Sequence, residues 1–259
     1  MGFIDWFLNG DLLTELRGHE IYALSKKINP WLRTQSFTNG VLYRNIDLAL
    51  DPNLDRVCFT ISGHTPELWA KIHRGPPQLF HRAIASLERC LDEGKTTEVH
   101  CVITQDNAPH LKEWFHYFSQ YPDLIPVISP LVGSYDNEPS RTALGPLTLD
   151  EQEQMVIDIA GEKGRMWTRE LIPDMKPCVL WDNMSVDVEG YVLQCCNWSP
   201  PQDVNYGLIP ELIEEGRTLK EVWTERLANR MRNRLCQSCN MKAQDWRSLL
   251  ESMKIEVKR

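Results

Sequence analysis

Apolar positions in the first 130 residues follow two different periods in turn. Phe3 to Asn9, Arg33 to Thr38, Arg56 to Ser62, Thr97 to Thr104 and Leu124 to Ser129 are short apolar or β-branched runs that read as strands. Between them, apolar residues recur every three or four positions, which predicts helices over Leu12 to Ile28, Thr65 to His73, Gln78 to Glu93 and Pro109 to Gln120. The punctuation agrees. Asn9-Gly10, Asn39-Gly40 and Gly63 close strands, Pro30 stops the first helix, and Thr65 followed by Pro66 is an N-cap and first turn. Strands alternating with helices imply βα units, and so an α/β protein with a parallel sheet or barrel. Functional groups are then expected on loops at the C-terminal ends of the strands.

From Val132 to Thr148 the pattern lapses into Gly, Ser, Asn, Pro and Thr. We therefore expect an α/β unit over 1–135, a linker and bridging helix over 136–175, with the helix at Leu149 to Lys163, and a separate unit over 176–259. The last unit reads as a β-hairpin from Val179 to Asn197 turning at Glu189-Gly190, a loop, a helix from Leu219 to Arg234, a Cys-x-x-Cys and a final helix from Ala243 to Met253. A unit this small owns little core, so a staple is expected.

Charge sharpens the division. The chain carries a net −8, which argues against a nucleic-acid or anionic-membrane binder held by charge alone, and we expect neither partner. From Arg217 to Arg259 there are 11 basic and 5 acidic residues, so the tail is +6 and the preceding 216 residues are −14. No run of about 18 apolar residues occurs, and Met1 to Trp6 has neither the basic nor the apolar stretch of a signal peptide. The expectation is a cytoplasmic protein whose cysteines stay reduced.

Five of the eight cysteines, Cys178, Cys195, Cys196, Cys236 and Cys239, fall in the C-terminal unit. The Cys236-x-x-Cys239 spacing lets two thiolates of one turn face a common metal atom or cluster edge. Cys178 and Cys195 lie on or beside the hairpin, and four such thiolates can close one tetrahedral site. With Glu189-Gly190 as the turn pair, Cys195 faces roughly Met184, so the segment from Cys178 must fold back to reach it. Adjacent strand residues point to opposite faces, so one of Cys195 and Cys196 faces the site; the spacing from Gly190 favours Cys195. Ligand count does not separate zinc from an iron-sulfur cluster. Cys58, Cys90 and Cys101 sit on apolar faces and read as small core residues.

These segments, taken in order, are similar to a known family. Pro177-Cys178, Asp187-x-Glu189-Gly190-Tyr191-Val192-x-x-Cys195-Cys196, Glu221-Val222-Trp223 and Cys236-x-x-Cys239 resemble the SPASM/twitch-type auxiliary-cluster domain that follows the barrel of many radical S-adenosylmethionine enzymes. Upstream, Gly10-Asp11-Leu12-Leu13 resembles the family's Gly-Glu-Pro-Leu segment, Thr38-Asn39-Gly40 its Thr-Asn-Gly turn, and Phe59-Thr60-Ile61-Ser62-Gly63 with Ile72-His73-Arg74-Gly75 its fourth-strand motif.

The resemblance implies a partial (β/α) barrel of the radical S-adenosylmethionine type followed by a small SPASM-like domain of hairpin and helices. It implies an auxiliary 4Fe-4S cluster on Cys178, Cys195, Cys236 and Cys239; the alternative left open by the residues themselves is a non-catalytic α/β interaction protein whose four cysteines hold a structural zinc. It further implies an S-adenosylmethionine cleft at Gly10, Asp11, Asn39 and Ser62, and a peptide or protein as substrate. Asp11 and Ser62 have plainer readings as an N-cap and a turn residue. The Cys-x-x-x-Cys-x-x-Cys motif that holds the S-adenosylmethionine-cleaving cluster does not occur in this sequence, and the resemblance implies that Phe3 to Asn9 stands at the family's second barrel strand, with the first one missing. The expectation is therefore a fragment or a partial barrel that binds a cluster without generating radicals, or one whose missing strand comes from a partner. Outside this pattern, no Gly-x-Ser-x-Gly elbow or phosphate-binding loop occurs. His110 and His116 share no helix face, and the nine tryptophans read as core anchors.

Overall fold

The computed structural model describes residues 3–6, 11–104, 106–129, 154, 156–158, 165–166, 184–187, 189–193, 195 and 205–230. The chain divides into two compact units, one of Met1–Leu131 with Glu151–Met166 and one of Val132–Asp150 with Trp167–Arg259.

The first unit is built on a six-stranded, wholly parallel sheet: β1 (Phe3–Trp6), β2 (Arg33–Thr38), β3 (Arg56–Thr60), β4 (Thr97–Val102), β5 (Leu124–Ser129) and β6 (Arg165–Met166). Spatial order equals chain order. That order decides the architecture. Right-handed crossovers that always step in one direction put every helix on the same face, which is the winding of a barrel; a doubly wound sheet needs a reversal. The helices are α1 (Gly18–Ile28), α2 (Pro66–His73), α3 (Gln78–Asp92) and α4 (Leu111–Phe118).

The pleat assigns side chains to faces. One face carries Val57, Phe59, Val99, Cys101 and Ile128, all buried, and meets the helices: a Cβ built on Gly40 would lie 3.0 Å from the Phe59 ring and 3.1 Å from Ala83 of α3. Phe80, Ala83, Leu87 and Cys90 of α3, with Leu111, Trp114 and Phe118 of α4, complete this core. Burying one such side chain contributes roughly 1.5–3 kcal/mol.

Local chemistry explains the element ends. Thr65 Oγ1 accepts from the Leu68 amide at 3.3 Å, and Pro66 opens α2 as its position predicts. The expected helix Leu12 to Ile28 is instead two pieces. A single 3-10 turn, Leu12–Thr14, ends at extended Glu15, and α1 begins at Gly18. Leu12 and Leu13 are both fully buried in the 3-10 turn, and extended Glu15 separates them from α1. The expected helix Pro109 to Gln120 opens with a 3-10 turn at Ala108–His110, and β3 and β4 are two residues shorter than their apolar runs. A further 3-10 segment, Tyr43–Leu48, has no counterpart in the expected elements. Within the stretch expected as linker and bridging helix, Gln154 and Val156 to Asp158 are helical, while β6 pairs with β5.

The second unit has a three-stranded antiparallel sheet, β7 (Ser185–Val186), β8 (Tyr191–Leu193) and β9 (Asn205–Leu208), followed by helices Ile209–Glu214 and Leu219–Arg230. Val192, Leu212 and Val222 form its buried centre. Thr218 and Glu221 form a reciprocal capping box: the Thr218 amide donates to Glu221 Oε2 at 2.7 Å and the Glu221 amide donates to Thr218 Oγ1 at 3.2 Å. The hairpin closes on Asp187 and Tyr191, not on a two-residue Glu189-Gly190 turn. The Asp187 amide donates to the Tyr191 carbonyl at 3.0 Å, and Gly190, at φ 96°, takes the left-handed position of a three-residue loop. Ser185 then pairs with Leu193, so the register differs by one from the expected Cys195–Met184 facing. Strand β9 was not among the expected elements.

Candidate functional site

The C-terminal ends of the parallel strands lie at one end of the sheet, and three of the four residues implied as cofactor contacts are described there. Asp11 follows β1. Its Oδ1 accepts from the Leu13 amide at 2.9 Å and from Thr38 Oγ1 at 2.7 Å, and its Oδ2 accepts from the Asn39 amide at 2.8 Å. The carboxylate thus caps the 3-10 turn and ties the end of β1 to the end of β2. Three of about four acceptor positions are used, leaving one on Oδ2 for a donor from a ligand. Asn39 holds its own loop through a 3.0 Å bond from the Val41 amide to Oδ1. Gly40 has φ 73° and packs against Phe59, and its carbonyl accepts from the buried Ser86 hydroxyl at 2.6 Å. Gly10 lies outside the described residues.

Ser62 turns inward. It is 2% exposed, and its hydroxyl accepts from the Val102 amide at 3.1 Å while its amide donates to His73 Nε2 at 3.2 Å. Its carbonyl accepts from Asn107 Nδ2 at 3.0 Å, and the same amide group reaches the Val102 carbonyl at 2.8 Å. The Trp114 indole donates to the Ile61 carbonyl at 2.7 Å. Ser62 is therefore a knot joining the ends of β3 and β4 to α2, with its hydroxyl oxygen engaged by the Val102 amide. Asn107, 1% exposed, is the centre of this knot and was not singled out from the sequence. Asn three residues after Thr104, ahead of a helix, is the signal that could have marked it: Thr104 and Asn107 exchange side-chain-to-amide bonds.

Two histidines border the knot. His73 stacks on Trp69 with centroids 4.7 Å apart, and burial lowers its pKa to about 4, so it accepts the Ser62 amide as the neutral ring. His64, next to Gly63, has a buried Nδ1 with no hydrogen-bond partner among the described residues, and burial lowers its pKa. Gly63 has no alternative: a Cβ there would lie 2.5 Å from the Trp69 amide nitrogen.

The sheet face turned away from the helices is polar. Gln35 and Phe37 of β2, Arg56 and Cys58 of β3 and Glu98 and His100 of β4 share it with Asp5 of β1. Arg56 Nη1 lies 2.7 Å from Glu98 Oε1, Glu98 Oε2 lies 2.9 Å from His100 Nε2, and the Cys58 thiol lies 3.7 Å from the same Oε2. The His100 ring meets Phe37 edge-on at 5.3 Å. Burial, then the charge of Glu98, push the Cys58 thiol well above its usual pKa. Cys58, Cys90 and Cys101 are buried as expected, but Cys58 belongs to this polar face and not to the helix-covered core. The legible signal was the charge alternating with apolar residues in Thr97-Glu98-Val99-His100-Cys101, which a parallel strand covered by apolar layers on both faces does not show.

Of the four implied cluster ligands, Cys195 is partly buried two residues beyond β8, and Cys178, Cys236 and Cys239 lie outside the described residues, as does Cys196. No helix among the described residues is long and apolar enough to cross a membrane.

A sequentially ordered parallel sheet with helices on one face and strand-end loops bearing Asp11 and Asn39, followed along the chain by a small antiparallel sheet, has the fold of a partial α/β barrel of the kind found in radical S-adenosylmethionine enzymes. The likeness is to particular structures. Native anSMEcpe with bound S-adenosylmethionine superposes with a TM-score of 0.61 at 13% identity, over 84% of this chain and 65% of that one. Streptococcus suis SuiB bound to S-adenosylmethionine gives a TM-score of 0.63 at 12% identity, over 92% of this chain and 59% of SuiB. Native anSMEcpe with bound S-adenosylmethionine and the Cp18Cys peptide gives 0.62 at 14% identity, over 90% and 72%. The chain thus spans about two thirds or less of the length of anSMEcpe and SuiB in the first and second of these structures. No family model and no curated protein sequence matches the chain.

Proposed function

We propose that this chain is an iron-sulfur relative of the radical S-adenosylmethionine enzymes that modify peptides, with an auxiliary 4Fe-4S cluster held by Cys178, Cys195, Cys236 and Cys239. The observation that carries the reading is the pairing of the two sheets: a sequentially wound parallel sheet, then a hairpin whose Gly190 loop leads directly into Cys195. Thiolate is the donor such a cluster requires, and a partly buried cysteine at a strand end suits it. Within the first unit, Gly10, Asp11 and Asn39 would line an S-adenosylmethionine cleft. Asp11 keeps one acceptor position for an ammonium group, while Ser62 braces the cleft from below without touching the ligand.

Bound S-adenosylmethionine would supply a methionine-like ammonium and carboxylate and a ribose to be held at the strand ends. The chain's own residues orient it. The Cys-x-x-x-Cys-x-x-Cys motif does not occur in this sequence, so cluster and ligand binding are what we assign to it, as a fragment or a non-radical-forming relative of those enzymes. A peptide is the proposed partner, because anSMEcpe is seen with peptides on the same fold.

Anaerobic purification tests the reading. Brown protein with broad visible absorption, about four iron and four sulfide per chain, and loss of colour in Cys236→Ser support it. Colourless protein with one zinc per chain overturns the cluster and leaves a structural zinc tetrathiolate in its place.

A further inference from the structure

A second, separate site emerges from the polar face of the parallel sheet. Cys58 and Glu98 are direct partners across β3 and β4, and His100 stands two residues on, on the same face. Their Sγ, Oε and Nε2 atoms lie within 4.8 Å of one another, and all three residues are buried. We propose that Cys58, Glu98 and His100 bind one divalent transition-metal ion of the zinc class inside the partial barrel.

The spacing supports this directly. Bonds of 2.0–2.3 Å at tetrahedral angles put neighbouring donor atoms roughly 3.3–3.7 Å apart. Cys58 Sγ to Glu98 Oε2 is 3.7 Å and Glu98 Oε2 to His100 Nε2 is 2.9 Å, so an ion would need the last pair to spread by a few tenths of an ångström, with Cys58 Sγ and the His100 ring nitrogen brought together from within 4.8 Å. The carboxylate is already aimed. Arg56 holds Oε1 at 2.7 Å, which turns Oε2 toward the cysteine and the histidine, the outer-shell arrangement that orients a ligating carboxylate.

Charge supports it as well. A thiolate and a carboxylate supply −2, which one divalent ion neutralises, and Arg56 already pairs with the Glu98 carboxylate at 2.7 Å. Such balance is what burial of several charges requires. Thiolate with imidazole selects zinc-like ions over magnesium and calcium, which take oxygen. Three protein ligands leave a tetrahedral ion one position for water or a substrate atom. On binding, Cys58 gives up its proton to solvent and His100 presents Nε2 as a lone pair.

This site shares no residue with the four-sulfur centre, so the two are tested apart. The probe is Co²⁺, titrated without oxygen into the full chain carrying Cys236→Ser and Cys239→Ser. One ion per chain is expected, with the visible bands of tetrahedral Co²⁺ and the near-ultraviolet intensity of a single thiolate. Adding Cys58→Ser removes the ultraviolet band, His100→Gln weakens binding roughly tenfold or more, and Cys90→Ser, on α3, changes neither. Circular dichroism reports the fold of each variant. If Cys58→Ser unfolds, His100→Gln carries the comparison; if both do, the parent titration decides it. Absence of tetrahedral bands in the parent, a thiolate ultraviolet band that persists in folded Cys58→Ser, or an unchanged Co²⁺ affinity in folded His100→Gln overturns the site. The four-sulfur centre is scored independently by colour in the unsubstituted chain.

Discussion

Replacing Asn107 with alanine should loosen the strand-end knot more than any single change among the exposed loops. Asn107 Nδ2 donates to the Ser62 carbonyl at 3.0 Å and the Val102 carbonyl at 2.8 Å, and Oδ1 accepts from the Thr104 amide at 2.6 Å. Alanine orphans the Thr104 amide and leaves the Ser62 and Val102 carbonyls with only the weak Cys101 thiol, at 3.8 and 3.9 Å. A buried group left without its partner costs about 1–3 kcal/mol, but Val102 is half-buried, so water recovers part of the loss. The sum is about 2–4 kcal/mol, or a fall in melting temperature of roughly 4–16 °C at about 2–4 °C per kcal/mol. The assay is urea unfolding followed by tryptophan fluorescence, because Trp114 reports on the same loop through its bond to Ile61. The midpoint should fall at unchanged slope. Asn107→Asp is the control. Its carboxylate keeps the bond from Thr104 but faces two carbonyl oxygens, so it should match alanine near neutral pH and recover stability on acidification, when a protonated carboxyl donates again. A loss below about 0.5 kcal/mol for alanine, the range of an ordinary surface substitution, would refute the knot.

Other expectations follow from the same geometry. His73 carries a folded pKa of about 4 against an unfolded 6.5, so the unfolded chain binds the proton more readily and stability drops as pH falls from about 6.5 to about 4. The drop is at most about 3 kcal/mol, and His73→Gln should flatten that part of a stability–pH curve. Gly63→Ala drives a Cβ into the Trp69 backbone at 2.5 Å and should destabilise by about 1–3 kcal/mol, read as a lower thermal midpoint by circular dichroism. Gly190→Ala places a side chain at φ 96° and should cost about 1 kcal/mol while lowering the iron bound per chain, measured by colorimetric assay, because the hairpin leads into Cys195. Asp11→Asn exchanges an acceptor oxygen for a donor beside the Thr38 hydroxyl or the Asn39 amide, and should weaken S-adenosylmethionine binding roughly tenfold by calorimetry; unchanged affinity would remove Asp11 from the cleft.

Much of the parallel sheet was legible along the chain because its evidence is local. β-branched runs punctuated by Asn-Gly and Gly, and a Thr-Pro helix start, need only neighbours to be read, and β2, β5 and α2 appear at the expected residues. Leu12 to Ile28 was misread as one helix because two buried leucines look the same in a helix and in a tight turn. The hairpin register slipped by one because a two-residue and a three-residue loop share the same Glu-Gly letters, and the φ of Gly190 separates them.

Sequence order and residue type, by themselves, determined the βα alternation, the cysteine cluster near the C-terminus and the division of charge along the chain. Tertiary structure alone decided that Ser62 faces inward as a brace, that Asn107 gathers two strand ends, and that Cys58 leaves the apolar core to sit beside Glu98 and His100. The reason is range. Secondary structure is set by contacts a few residues away, whereas Cys58 and Glu98 are 40 residues apart and meet because two parallel strands happen to align in one register. No local pattern carries that alignment, since a shift of one residue would turn either side chain to the opposite face.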